Sequence, residues 1–340
     1  MPELRKDLIT EGWVIIAAER AKRPHEFTQT TSEPDTAVCP FCPGNESQTP
    51  PELWAVREGG GPNQPGWKVR VIPNKFPALR IEGEMNREAE GIYDRMNGIG
   101  AHEVIIDTPA HHQRGEEEPV ADIALALTAC KERMIDLQRD ARFRYILVFK
   151  NVGWEAGASL RHSHYQLIAT PVTPHRVKAK LTGARDYYQR KERSVFHDVL
   201  RQEQREGCRV VFENRGFLVF CPFASRFPFE LCVLPKRQAA DYYSMESDEI
   251  LQLADALKVT LGKLSQGLNR PQYNLIIQTA PSRSGHRHSG YWDTIDQDFR
   301  WHIEILPRLT RTAGFEWGTG FYINPMPPEE SAAYLRELPS

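Results

Sequence analysis

The stretch Gly157-Ala-Ser-Leu-Arg-His162-Ser-His164-Tyr-Gln166-Leu-Ile-Ala-Thr-Pro171 sets two histidines and a glutamine at strict two-residue spacing inside an otherwise apolar run. Side chains alternate between faces along a strand, so His162, His164 and Gln166 are expected on one face. Polar groups sharing the face of a central strand are costly to bury without partners. The pattern therefore predicts a bound ion, phosphate or substrate here, with the chemistry carried by these residues.

Outward from this strand, the chain of 340 residues is long enough for two domains or one large duplicated one. Its 40% hydrophobic fraction, 26% charged fraction and formal net charge of -2 describe an ordinary globule. They give no electrostatic footprint for a nucleic-acid partner. No segment approaches a membrane span, and Met1-Pro-Glu-Leu-Arg-Lys-Asp7 lacks the apolar core of a signal peptide, so a cytoplasmic protein with reduced cysteines is expected.

Of the six cysteines, Cys39 and Cys42 form a C-x-x-C pair, while Cys130, Cys208, Cys221 and Cys232 read as core residues. In a reducing compartment such a pair is a zinc knuckle or a redox couple. A thioredoxin-like site opens a helix, whereas Pro43-Gly44-Asn45 forces a turn, and this favours zinc. Two further ligands must come from elsewhere. His162 is one candidate; His111, just past the end of a predicted strand over His102–Asp107, and His102, at its start, are others.

The order of elements occurs twice. The first unit runs through Val71–Leu79, His102–Asp107, a helix, Tyr145–Phe149 and the His162 strand; the second runs through Val211–Ala224, Phe229–Leu234, a helix, Tyr273–Ile277 and Trp301–Pro307. Both helices are amphipathic: Ile123, Leu127, Cys130, Met134 and Leu137 recur at helical spacing, as do Ile250, Leu253, Leu257, Leu261 and Leu264. Ser247, followed by Asp248 and Glu249, reads as the N-cap of the second. Mixed antiparallel strands with one crossover helix per unit predict an α+β fold of two tandem half-barrels. The expected division is 1–172 for the catalytic unit, 173–207 for a charged connecting helix or arm, and 208–340 for the second unit. Glu58–Gly66 is a flexible loop by composition and lacks the lysine and following helix of a phosphate-binding P-loop.

Cys39-x-x-Cys42, Thr108-Pro-Ala-His111 and Gly157-Ala-Ser159-x-x-His162-x-His164-x-Gln166, in this order, resemble the galactose-1-phosphate uridylyltransferase family. That family is a branch of the histidine-triad superfamily that also contains ADP-glucose phosphorylases. The likeness runs from Arg5-Lys-Asp7 to Gly314-Phe-Glu-Trp-Gly-Thr-Gly-Phe-Tyr-Ile-Asn324. It implies two histidine-triad-like repeats, a structural zinc held by Cys39, Cys42, His111 and His162, and His164 as the nucleophile that carries the nucleotidyl group. It also implies that Asn74, Lys75, Phe76 and Asn151 face the nucleotide. Gln166, Ser159 and the backbone around Gly157 would donate to phosphoryl oxygens. The active site would be completed across a homodimer, with Phe315, Glu316 and Asn324 reaching the neighbouring nucleophile.

The chemistry suits these residue types on its own terms. A neutral imidazole is nucleophilic near pH 7 and forms a reactive phosphoramidate, so one difficult transfer becomes two easier ones with ping-pong kinetics. The expected activity is transfer of a uridylyl group between UDP-glucose and galactose 1-phosphate. An ADP-glucose phosphorylase or another hexose-1-phosphate nucleotidyltransferase is the alternative, and a zinc-stabilised nucleotide-binding module is the non-enzymatic one.

The second unit departs from the pattern. Ser194-Val-Phe-His197 and Pro235-Lys-Arg-Gln238 stand where many relatives have a C-x-x-C and a histidine, and serine and glutamine are poor zinc ligands, so no second metal site is expected. His302-Ile-Glu304 is aligned with His162-Ser-His164, which leaves the second repeat without a nucleophile. His286 and His288 read as loop residues near substrate, and His175 and His197 carry no supporting pattern.

Overall fold

Runs of β-branched and aromatic residues flanked by Gly, Pro and Asn favour strands, and in this computed structural model they form fifteen among the described residues, which are 1–20, 38–111, 113–283 and 293–339. His286 and His288 lie outside those residues. The chain begins with β1 (Glu3–Lys6) and β2 (Trp13–Ile16), and continues after the C-x-x-C turn with β3 (Trp54–Arg57), β4 (Trp67–Pro73), the small hairpin β5 (Glu88–Glu90) and β6 (Tyr93–Arg95), and β7 (Ala101–Ile106). Helix α1 (Val120–Leu137) crosses to β8 (Tyr145–Val152) and β9 (His164–Thr170). The charged connecting stretch folds as α2 (His175–Lys191) and α3 (Val195–Glu206).

The second unit repeats the plan with β10 (Val210–Glu213), β11 (Phe217–Phe220), β12 (Leu231–Pro235), α4 (Ser247–Gly267), β13 (Tyr273–Gln278), α5 (Ile295–Asp298) and β14 (His302–Pro307). It closes with α6 (Gly314–Thr319), β15 (Tyr322–Asn324) and α7 (Pro328–Glu337). The cap of α4 is Glu246 rather than Ser247, and its backbone N–H donates to Glu249 Oε2 at 3.0 Å.

The fold is α+β, as expected, and its two strand sets are one sheet. The strand order is β10-β11-β12-β14-β13-β8-β9-β7-β4-β3, antiparallel throughout. The order reads the same from either end toward the middle, and the repeats meet where β8 pairs with β13, Tyr273 opposite Val152 and Ile277 opposite Val148. On one face, α1 and α4 pack against each other and close a single apolar core that includes Leu127, Met134, Leu167, Leu257 and Ile305. Each leucine buried there contributes about 2 kcal/mol relative to exposure. The other face is left for the polar strand residues and for α2 and α3. No helix among the described residues is long and apolar enough to cross a membrane.

Candidate active site and metal centre

Strand β9 begins at His164, so His162 stands in the turn that feeds it, and only His164 and Gln166 share the strand face. That face is walled by Phe41, Ile72, Val104 and Ile106. The Phe41 and His164 rings pack edge to face with their centroids 5.3 Å apart. His164 is buried, and its Nδ1 lies 2.7 Å from the His162 carbonyl oxygen. Only a protonated Nδ1 can donate to a carbonyl, so the lone pair sits on Nε2. Burial also lowers the imidazole pKa below its usual 6.5, which keeps the ring neutral.

Cys39, Cys42, His111 and His162 come together with their ligating atoms all within 4.8 Å of one another, a set that could hold a metal ion. His162 Nδ1 is 3.7 Å from Cys39 Sγ and 3.6 Å from Cys42 Sγ, and His111 Nδ1 is 3.2 Å from Cys42 Sγ. Bond lengths to tetrahedral zinc give a sulfur–nitrogen edge of about 3.6 Å, which these donors match. His162 Nε2 donates to the Thr108 carbonyl at 2.8 Å, which aims the Nδ1 lone pair at the cluster. Burial and the neighbouring Cys39 push the Cys42 thiol up, a cost that a bound cation would reverse. His102 is not part of the cluster.

Beneath the His162-Ser163-His164 turn lies a brace that the sequence reading missed. The buried ammonium of Lys150, on β8, donates to Asp107, just past β7, and to Ser163 Oγ at 2.7 Å. A lysine ending an apolar strand and an aspartate ending its neighbour were the available signal. The second repeat also contributes. Asn274, on β13, donates to Asn151 Oδ1 at 2.8 Å and to the Ala156 carbonyl at 2.7 Å, and Gln272 Oε1 accepts from Glu155 N–H at 2.6 Å. These bonds fix the loop that turns through Gly153 and Gly157, both at φ +88°, where a side chain would be strained. Asn151, Ser159 and His162 then line a cleft of about 120 Å³ together with Arg114, Lys150 and Arg161, and neither His164 nor Gln166 lines it.

The other expected substrate residues fall into two groups, of which the first reaches Gln166 through the Asn74 contact with His102. Asn74, Lys75 and Phe76 follow β4, with Phe76 83% exposed, Asn74 Oδ1 accepting the Phe76 N–H and Lys75 Nζ donating to the Gln48 carbonyl. Phe315 and Glu316 lie on α6; Phe315 is exposed, and Glu316 caps its own helix at the Ala313 N–H. Asn324 corrects the expectation placed on it. It is fully buried in its own subunit, donating to the Ser225 carbonyl and accepting from Met326 N–H, and its strand pairs with β2, so it cannot reach a neighbour.

The register of the second repeat is also corrected. Strand β14 begins at His302, as β9 begins at His164, and His302 Nδ1 lies 3.0 Å from the Arg300 carbonyl, just as His164 Nδ1 meets that of His162. His302 therefore matches His164, Glu304 matches Gln166 and Arg300 matches His162. The second repeat has kept a histidine at the nucleophile position and lost the metal-site histidine. The Arg300 guanidinium donates to Gln238 Oε1 at 2.9 Å and to the Pro235 carbonyl at 3.1 Å, while Ser194 Oγ donates to the Asp298 carbonyl. A fixed cation thus ties together this end of the repeat. A cavity of about 1440 Å³ opens against His302, Glu304, Lys180 and Arg226. It is a poor site for transfer despite its size, because Lys180 Nζ stands 2.9 Å from His302 Nε2 and takes the lone pair that a nucleophile needs.

Known proteins resemble this chain over nearly its whole length. A family profile described as galactose-1-phosphate uridyl transferase, N-terminal domain, matches residues 1–174, and a domain of unknown function, DUF4921, matches residues 120–337. An ADP-glucose phosphorylase of Arabidopsis thaliana is 36% identical over 99% of this chain and 93% of its own length. The chain belongs to the galactose-1-phosphate uridylyltransferase family. Another member, the galactose-1-phosphate uridylyltransferase of Thermotoga maritima, is 30% identical over 99% of this chain and 98% of its own. The crystal structure of the Arabidopsis ADP-glucose phosphorylase with bound ADP-glucose superimposes with a TM-score of 0.84 at 33% identity, covering all of both chains. A uridylyltransferase structure gives 0.75 at 28% identity, covering 99% and 97%. Membership in this uridylyltransferase family makes the chain a nucleotidyltransferase and fits the two-repeat α+β architecture.

Proposed function

We propose that this nucleotidyltransferase works through a covalent nucleotidyl-His164 intermediate on a nucleoside-diphosphate hexose, with ADP-glucose as donor and inorganic phosphate as acceptor. The observation that carries the covalent step is the His164 ring: its Nδ1–H is committed to the His162 carbonyl, so the neutral Nε2 lone pair is the reactive end. Nε2 attacks the α-phosphorus and hexose 1-phosphate departs with the bridging oxygen. An oxygen of the acceptor then attacks the same phosphorus, the phosphoramidate bond breaks, and the electron pair returns to Nε2. Gln166 and Ser159 offset charge as it develops on the phosphoryl oxygens. The 36% identity to the ADP-glucose phosphorylase supports adenine as the base. Uridylyl transfer between UDP-glucose and galactose 1-phosphate is the second reading, supported by the Thermotoga relative and the N-terminal family profile.

The metal in this reading is zinc. Four protein donors leave no open coordination position, so its role is to lock the turn that presents His164.

Incubation with ADP-glucose or UDP-glucose in turn, followed by intact-mass measurement, tests the proposal. An AMP adduct discharged by phosphate is the expected result, and a UMP adduct discharged by galactose 1-phosphate selects the second reading. No adduct with either sugar nucleotide would reduce the protein to a binding module.

The same reading has two copies complete each site. Helix α6 buries none of its residues and leaves Phe315 and Trp317 exposed, an apolar surface that a second copy can cover. Sedimentation is expected to give a dimer, and a fully active monomer would remove the shared-site model.

A further inference from the structure

An amide has two ends, and only the NH2 of Gln166 can serve a phosphoryl oxygen. What decides its orientation lies on the neighbouring strand. His102, the second residue of β7, places its Nε2 2.9 Å from Gln166 Oε1 and its Nδ1 3.1 Å from the backbone nitrogen of Ala78. A backbone N–H can only donate, so Nδ1 must accept, and the proton of the neutral ring then sits on Nε2. A protonated Nε2 can only donate, so Gln166 must turn its oxygen toward His102. The NH2 of Gln166 is thereby directed away, and it has no acceptor among the described residues.

The Asn74 amide nitrogen stands 3.1 Å from the same His102 Nε2. Asn74 Oδ1 already accepts the Phe76 N–H at 2.9 Å, so its NH2 faces the Nε2–H donor to donor, the one unfavourable contact of this tautomer; the other tautomer would set an Nδ1–H against the Ala78 N–H, which is fixed in the backbone, whereas the Asn74 side chain can turn away. Alternative rotamers of Gln166 would place donor against donor at 2.9 Å. The orientation thus rests on the Ala78 N–H, a backbone donor that cannot turn away as the Asn74 side chain can.

We propose that His102 is a positioning residue: through its tautomer, it fixes the aim of the Gln166 amide and couples the 74–78 loop to the phosphoryl subsite. Ala78 belongs to the loop that also carries Asn74, Lys75 and Phe76. A nucleotide that orders this loop also holds the Ala78 N–H on His102, and so readies the donor that the transferring group needs. His102 does not touch the reacting atoms. The inference rests on His164 as nucleophile and Gln166 as phosphoryl donor.

The test is a double-mutant cycle read by the single-turnover rate of His164 nucleotidylation, with sugar-nucleotide affinity measured separately. His102→Phe keeps a ring but has neither the acceptor nor the proton, and is expected to slow nucleotidylation about 100-fold, with affinity changed less than about threefold. His102→Gln can accept from Ala78 and donate to Gln166, and is expected to recover most of the rate. In a Gln166→Ala background, His102→Phe should cost less than about threefold more, since the group it positions is gone. If the two losses multiply, or if His102→Gln is as slow as His102→Phe, the positioning role is wrong. Should His102→Phe not fold, the same cycle with His102→Asn, which cannot span both partners, decides the question. Wild-type protein that forms no adduct would instead overturn the parent reading, leaving the two failures distinct.

Discussion

Replacing His164 with glycine is expected to lower nucleotidyl transfer by at least about 10⁴-fold, because it removes the only atom that can carry the group. The fold and metal content should stay near those of the wild type. The His164 ring is no part of the Cys39, Cys42, His111 and His162 set, and its one hydrogen bond is to a carbonyl two residues away. The variant leaves a cavity the size of an imidazole beside Phe41, so free imidazole should restore part of the turnover by accepting the nucleotidyl group in place of the ring. His302 should not take over, since Lys180 occupies its Nε2. Single-turnover assays with zinc analysis on the same sample check this. Retention of substantial activity would assign the nucleophile elsewhere.

Loss of the metal is the second large effect. Cys39→Ser is expected to strip zinc and cost about 4 kcal/mol, which for a chain of this length lowers Tm by roughly 5 °C. The loss is local. Hydrogen-exchange protection should fall over the Cys39 turn, around Thr108 and through the 160–164 turn, while β10 to β14 keep theirs, because a guanidinium rather than a metal closes the matching end of the second repeat. Chelation of the wild-type protein should reproduce the pattern and zinc should reverse it. Two tightly held metals per chain, or none in active protein, would contradict the ligand set.

Much of this molecule was legible in the residues. Two-residue spacing placed His164 and Gln166 on one strand face, while the C-x-x-C turn left His102, His111 and His162 as candidate partners and the family resemblance supplied the four donors that the fold brings together. The failures have physical causes. His302-Ile-Glu304 imitates His162-Ser-His164 in spacing, and only the strand start and the bond from Nδ1 to the carbonyl two residues back show the match to be displaced by two. Asn324 looks like a substrate residue because polar side chains near glycines often are, yet its amide is consumed by Ser225 and Met326. The roles of Lys150, Asn274 and His102 depend on partners far away in sequence, which no local pattern encodes.

The pairing of β8 with β13 also bears on how the chain is made. A ribosome finishes Val152 well before Tyr273, and at ordinary elongation rates the interval is roughly 10 s. For that time β8, rich in Ile, Leu, Val and Phe, has β9 on one side and an open row of N–H and C=O groups on the other. Such an edge is a template for another nascent chain. The second repeat thus acts in cis as the cover for the first, and separating the halves into two polypeptides would leave a permanently sticky edge on each.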